Sequence, residues 1–101
     1  IFQPMELSTK TLDDVVKERS FNKPDLIKID VQGAELDVLM GAEECLKTCK
    51  HIIVELRHVE YNIGSPEKEE IIAFLEARGF TNMGEFCHTT VDGDFHFMRQ
   101  E

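Results

Sequence analysis

Acidic and amide side chains crowd one short stretch of this chain, Asp25 to Ala42 (DLIKIDVQGAELDVLMGA). It reads as an apolar strand, a turn with a single glycine, and an amphipathic helix. That order sets Asp30, Gln32 and Glu35 at the carboxyl end of a strand, where open α/β sheets hold their ligands. A carboxylate at a strand tip can bind a metal, take a proton, or hold a hydroxyl or amine. The plainer reading of Asp30 is a turn aspartate bonded to nearby backbone N–H groups. Glu35 also has an ordinary explanation, because acids favour the first helical turn. Gln32 reads first as a turn residue and second as a ligand contact. Glu55 interrupts the apolar run Ile52 to Leu56, and an isolated buried carboxylate is costly. Adjacent strands lie about 4.8 Å apart, so Asp30 and Glu55 face one cleft if they share a side of the sheet. Arg57 and His58 follow at the same rim, with His58 a candidate base or ligand.

The remaining reactive types read more plainly. Cys45, Cys49 and Cys87 lack disulfide-scaffold spacing, and Cys45 and Cys49 fit a buried helix face as small apolar residues. Tyr61 reads as packing. A two-residue turn at Asp92-Gly93 would pair Val91 with Asp94, His88 with Phe97 and His96 with Thr89. That register sends the two histidines to opposite faces, and no metal site is expected. Asp92 and Asp94 read as a solvated tip. GxGxxG, GxxxxGK[ST], CxxC and HExxH are all missing from the sequence. The glycine-rich turn that cradles a nucleoside cofactor is thus not found.

The elements that must position these residues follow from spacing. Thr11-x-x-Asp14 is a capping signal, with Leu12, Val15 and Val16 behind it, which predicts a helix over 11–19. Asn22-Lys23-Pro24 ends it. A strand is predicted over Leu26–Val31, then one helix from Ala34 to Lys50 with Val38, Leu39, Ala42, Cys45, Leu46 and Cys49 on its apolar stripe. Gly41 in its middle implies close packing on the sheet. Ile52–Leu56 is a second strand, apolar enough to be covered on both faces. Strand, helix, strand makes a βαβ unit with parallel strands. Ser65-Pro66-Glu67 starts another helix, closed near Gly79, with Phe80 folding back. Two strands near 82–90 and 94–100 form a hairpin about Asp92-Gly93. Residues 1–10 carry no clear element.

The chain has 101 residues, enough for one domain, and begins with Ile1, as a trimmed or partial chain does. A domain of this size buries about two-thirds of its unfolded surface. Its charge of −9, from 20 acids against 11 bases, repels phosphate backbones and anionic lipid, so neither nucleic acid nor a membrane surface is an expected partner. No apolar run reaches the ~20 residues of a spanning helix. The odd cysteine count suits a reducing cytoplasm.

Leu12-Asp13-Asp14, the Asp25–Glu43 block with its IDVQGAE core, Ile52-Ile-Val-Glu55 and Leu75-x-x-x-Gly79-Phe80 together resemble the FkbM family of S-adenosylmethionine-dependent methyltransferases. The likeness covers about residues 8–80. Gln32 stands where the family usually has glutamate. The resemblance implies a Rossmann-like α/β fold with sheet order 3-2-1-4-5-7-6, of which residues 1–101 would form a single partial domain. Its half-sheet would run 4-5-7-6, the last strand antiparallel and strands 1–3 absent. It implies methyl transfer, of the O-methyl kind, with S-adenosyl-L-methionine as cofactor. The cofactor loop has no counterpart here, so this chain alone is expected to be inactive and need not bind the cofactor. By family position Asp30 and Glu35 would lie near the transferred methyl or the acceptor; the reading of the residues adds Glu55 as a third catalytic candidate and Gln32 and His58 at the rim. The acceptor is not readable.

Lacking strand 1, Leu26–Val31 would present a bare edge, which predicts a homodimer through that strand unless residues 1–10 cover it. A competing reading is a non-catalytic α/β module that associates through the same edge. A receiver-like domain lacks its N-terminal acidic pair and strand-end lysine, and a phosphodiesterase of the EAL type lacks its signature.

Overall fold

The computed structural model describes residues 9–31, 34–57, 68–88 and 92–100. Its elements are α1 (Leu12–Glu18), β1 (Leu26–Ile29), α2 (Glu35–Met40), α3 (Glu43–Leu46), β2 (His51–Arg57), α4 (Lys68–Glu76), β3 (Phe80–His88) and β4 (Asp92–Arg99). They form a mixed α/β unit around a four-stranded sheet ordered β1-β2-β4-β3. As the βαβ reading requires, β1 and β2 are parallel, with Ile29 beside Val54. β4 inserts between β2 and β3 and is antiparallel to both.

Alternation decides the layers. In β2 the buried residues are Ile52, Val54 and Leu56, while Ile53 and Glu55 between them are half-buried. The inner set meets Ile27 and Ile29 of β1, Phe95 and Phe97 of β4, Leu39, Ala42, Cys45 and Leu46 of the α2–α3 segment, and Ile71 and Leu75 of α4. Leu12 and Val16 of α1 lie against this cluster. Each fully buried Leu, Ile or Phe contributes about 1.5–3 kcal/mol, so this one layer of contacts dominates the fold. Among the described residues all helices sit on that face. The expectation that β2 is covered on both sides is corrected: its outer positions carry Glu55 and His51 as well as Ile53, and no described element covers them.

The expected capping signal is present. Thr11 Oγ1 accepts from Asp14 N at 3.1 Å, and α1 follows. The expected single helix over 34–50 is instead two, broken at Gly41-Ala42. The cause is a contact between elements. A Cβ on Gly41 would meet Thr11 Cβ at 2.9 Å, and Asp13 N donates to Gly41 O at 3.1 Å. Gly41 therefore admits α1 rather than the sheet. Asp13 then caps α3 from outside the helix: Glu44 N donates to Oδ2 at 2.8 Å and Cys45 N to Oδ1 at 3.0 Å.

Two arginines close the far end. Arg99 of β4 donates to the carbonyls of Cys49 at 2.9 Å and Leu46, satisfying groups that the end of α3 leaves open. Arg78 grips Glu43 of α3 with Nη2 to Oε1 at 2.6 Å and Nε to Oε2 at 3.0 Å, and lies over the Phe74 ring. That pairing holds the Glu43 carboxyl below its ordinary value. Gly79, at φ +89°, makes the left-handed turn from α4 into β3, and Phe80 is buried there.

The hairpin register differs from the expected one. Asp92 and Gly93 lie within β4, not at the turn. Cys87 pairs with Asp94, His88 with Gly93, and Gly84 with His96. Irregularities between Asn82 and Gly84 and between Glu85 and Cys87 insert extra residues into β3. Gly84 takes φ +105° at the first of them, a conformation open to glycine without a Cβ penalty. The pairs nearest the turn already stand four residues from the expected register, and each bulge adds one more beyond it.

Candidate functional site

Asp30 follows β1 directly and is exposed. The next step of the β1–β2 register carries it to the level of Glu55. Glu55 is half-buried in β2 and pairs across β4 with Asp94. A directly opposed pair has Cβ atoms about 4.5–5.5 Å apart, and like charges there oppose each other. Asp94 is half-buried in the sheet, which corrects its reading as a solvated tip. It joins Asp30 and Glu55 as a row of carboxylates at the carboxyl end of β1 and β2. Sequence spacing could not find it, because β4 reaches β2 only by passing between β2 and β3.

Glu35 opens α2 and is the one buried charged residue among those described, at 6% exposure. No described residue donates to its carboxylate. Burial of such a group without partners is expensive. The helix-start explanation covers its position but not its depth. Gln32, His58 and Tyr61 lie outside the described residues, as does the Ser65-Pro66-Glu67 helix start. Of the expected set, the sheet brings Asp30 and Glu55 to one level, and Glu35 follows five residues after Asp30 on the helix side of the turn.

Other reactive groups sit elsewhere. Cys45 and Cys49 are buried core residues, as their spacing suggested. Burial, reinforced by Asp13, pushes the Cys45 thiol up to about 11, and burial raises Cys49 as well. No cluster of three or more metal-ligating side chains occurs among the described residues, and no described helix is long and apolar enough to cross a membrane. The second grouping missed from sequence is His51 with His96. Nδ1 of His51 lies 3.1 Å from Nε2 of His96, at the opposite end of β2 from Glu55.

The sequence model described as Methyltransferase FkbM domain matches residues 1–81. The chain is 36% identical over 72 residues to 2-O-methyltransferase NoeI of Sinorhizobium fredii, covering 71% of this chain and 30% of that protein. It is 32% identical over 84 residues to 31-O-demethyl-FK506 methyltransferase FkbM of Streptomyces tacrolimicus, covering 82% of this chain and 30% of the relative. Hexuronic acid methyltransferase AglP of Haloferax volcanii is 36% identical over 52 residues, 52% of this chain and 22% of that protein. This chain therefore spans less than a third of the length of these relatives. No solved structure matches it.

Proposed function

Because this chain belongs to the FkbM methyltransferase family, we propose that it forms the acceptor side of an S-adenosyl-L-methionine-dependent O-methyltransferase. The family match over residues 1–81 carries the reading. Two relatives whose names specify oxygen methylation, NoeI and FkbM, support the O-methyl assignment. The sheet order β1-β2-β4-β3 is the one strands 4-5-7-6 of a Rossmann-like methyltransferase would show, which supports that fold assignment.

The cofactor supplies an electrophilic methyl group on a sulfonium sulfur. Among the described residues no cradle for it is found. The one strand-to-helix turn after β1 carries a single glycine, Gly33, and the sequence has no glycine-rich loop. We therefore assign no residue to holding the cofactor. The acceptor hydroxyl needs orientation and a base for its proton. Asp30, exposed at the strand tip, orients that hydroxyl. Glu35, buried and without a described partner, receives its proton or fixes Asp30. Glu55 lines the same level of the sheet, and Gln32 and His58 are proposed for the rim. A cytoplasmic setting suits the unbridged Cys45 and Cys49.

The test is substitution in the protein that carries this sequence, with transfer of labelled methyl to a small hydroxylated acceptor as the readout. Asp30→Ala and Glu35→Gln should each lower the rate about 10²–10⁴-fold, the range for a general base. Full activity in both variants removes the assignment.

The β1 edge supports a homodimer of the 101-residue chain. β3, the other edge, is interrupted by two bulges that spoil it as a template. β1 is regular, with Leu26 54% exposed. Sedimentation should show concentration-dependent dimers, and a monomer at every concentration refutes the pairing.

A further inference from the structure

We infer that His51 and His96 form a hydrogen-bonded imidazole pair between β2 and β4, which keeps its contact on taking up one proton and is opened by a second. The two rings stand on adjacent strands in the interior of the sheet, where the register fixes His51 opposite Met98 and His96 opposite Ile53. Both are half-buried on the face away from the helices. The nitrogens are 3.1 Å apart, the ring centres are 5.3 Å apart, and the planes differ by 25°. The excess of the second distance over the first is about two ring radii. The nitrogens therefore point along one line at each other, edge to edge rather than face to face, as a hydrogen bond requires.

That geometry fixes the proton count. With both rings neutral, one N–H donates to the other ring's lone pair. One added proton goes to an outer nitrogen, and the N–H···N contact survives with a charged donor, which strengthens it. A second added proton makes both facing nitrogens donors. The contact is then lost, and two like charges face each other on a half-buried surface.

Charged groups of the neighbouring strands surround the pair. Lys28 of β1 lies beside Ile53, while Lys50 and Arg99 border the hollow under His51. Against these stand Glu55 of β2, Asp94 of β4 and Glu85 of β3. Of the cations, Arg99 is turned to the helix face, where it donates to the Cys49 and Leu46 carbonyls. His96 also lines a pocket of about 310 Å³ with Ile53, Met83, Gly84, Glu85 and Phe86. Opening the pair would therefore change the wall of that pocket. The device lies at the amino end of β2, with His96 one alternation along β4 from Asp94, and does not depend on the methyltransferase reading.

Imidazole nitrogens can be followed by long-range ¹H–¹⁵N NMR across the range where histidine titrates, about pH 8 to 5. The wild-type chain should take up protons at this pair in two distinct steps, each visible at both rings, as coupled sites do. The Ile53 and Gly84 amides should move with the second step only. In His96→Gln, His51 should take its full proton in one step. Wild-type rings that protonate together, each as it does in His96→Gln or His51→Gln, overturn the proposal. Should neither variant fold, the wild-type profile decides alone: two shared steps support it, and one common step matching a histidine peptide overturns it.

Discussion

Asp13 offers the sharpest test of how this fold is joined. Its carboxylate accepts from two backbone N–H groups at the start of α3, 2.8 and 3.0 Å away, although it belongs to α1. Losing a helix cap costs about 0.5–2 kcal/mol, and a bond to a charged group is worth about 1.5–3 kcal/mol. The site is partly exposed, so water replaces some of what is lost. We expect Asp13→Ala to cost about 2 kcal/mol at neutral pH on these ranges. For a domain of this size that lowers the melting temperature by about 10 °C. Asp13→Asn keeps one acceptor oxygen and should cost about half as much. The pH dependence is separable. Burial raises the Asp13 carboxyl, but the donors from Glu44 and Cys45 outweigh it, and the group titrates below its ordinary value of 3.8. A carboxyl lowered by folding adds stability that is fully present above its unfolded value. That stability is lost as pH falls through the folded value. Urea unfolding followed by circular dichroism should thus show the gap between wild type and Asp13→Ala narrowing below about pH 4. A gap equally wide at pH 7 and pH 3, or no gap at all, refutes the account of Asp13 as a cap working through its charge.

The other predictions concern the same joints. Gly41→Ala improves helix propensity by about 1 kcal/mol yet should destabilise by about 1–3 kcal/mol, because the new Cβ meets Thr11 at 2.9 Å; a raised melting temperature refutes this. Arg99→Met should cost about 2–4 kcal/mol by stranding the Leu46 and Cys49 carbonyls, and Arg99→Lys should recover little, since an ammonium cannot fork to both. Cys45 and Cys49 should resist alkylation at pH 8 in the native chain and react in denaturant, because burial keeps both as thiols; rapid native labelling of all three cysteines contradicts this.

What could be read from sequence was whatever depends on neighbours along the chain. The apolar stripe from Leu39 to Cys49, the Thr11 cap and the parallel pair Leu26–Ile29 with Ile52–Leu56 all follow from local spacing and from the handful of topologies open to a strand-helix-strand unit. The hairpin was legible as a hairpin, but not in register. The pair next to the turn, His88 with Gly93, already stands four residues from the expected register, and the irregularity between Glu85 and Cys87 adds one more, which brings His96 to Gly84 instead of Thr89; of the two bulges only Gly84 leaves a trace in sequence. The break at Gly41 was illegible for a related reason. Its cause is Thr11, thirty positions away, and glycine there looks the same whether it admits the sheet or another helix. Asp94 and His51 gained their neighbours through the insertion of β4 beside β2. That is an adjacency between elements far apart in sequence, with no periodicity to announce it.

Glu35 shows where local reasoning and structure diverge most usefully. In sequence it is one of several acids at a helix start, alongside Asp37, and the dipole accounts for both. Asp37 obeys that account: it is exposed, and solvent screens its charge. Glu35 does not, since it is buried in the same turn of a helix only six residues long. A short helix offers little compensation, for the dipole effect at a terminus is worth about 0.3–1 kcal/mol, and no described residue pairs with this buried carboxylate. Stability alone would favour an apolar residue at this position, as it does at Leu39 one turn later. Among the described residues, a carboxylate kept against that gradient beside a strand tip bearing Asp30 is the one whose presence folding explains least.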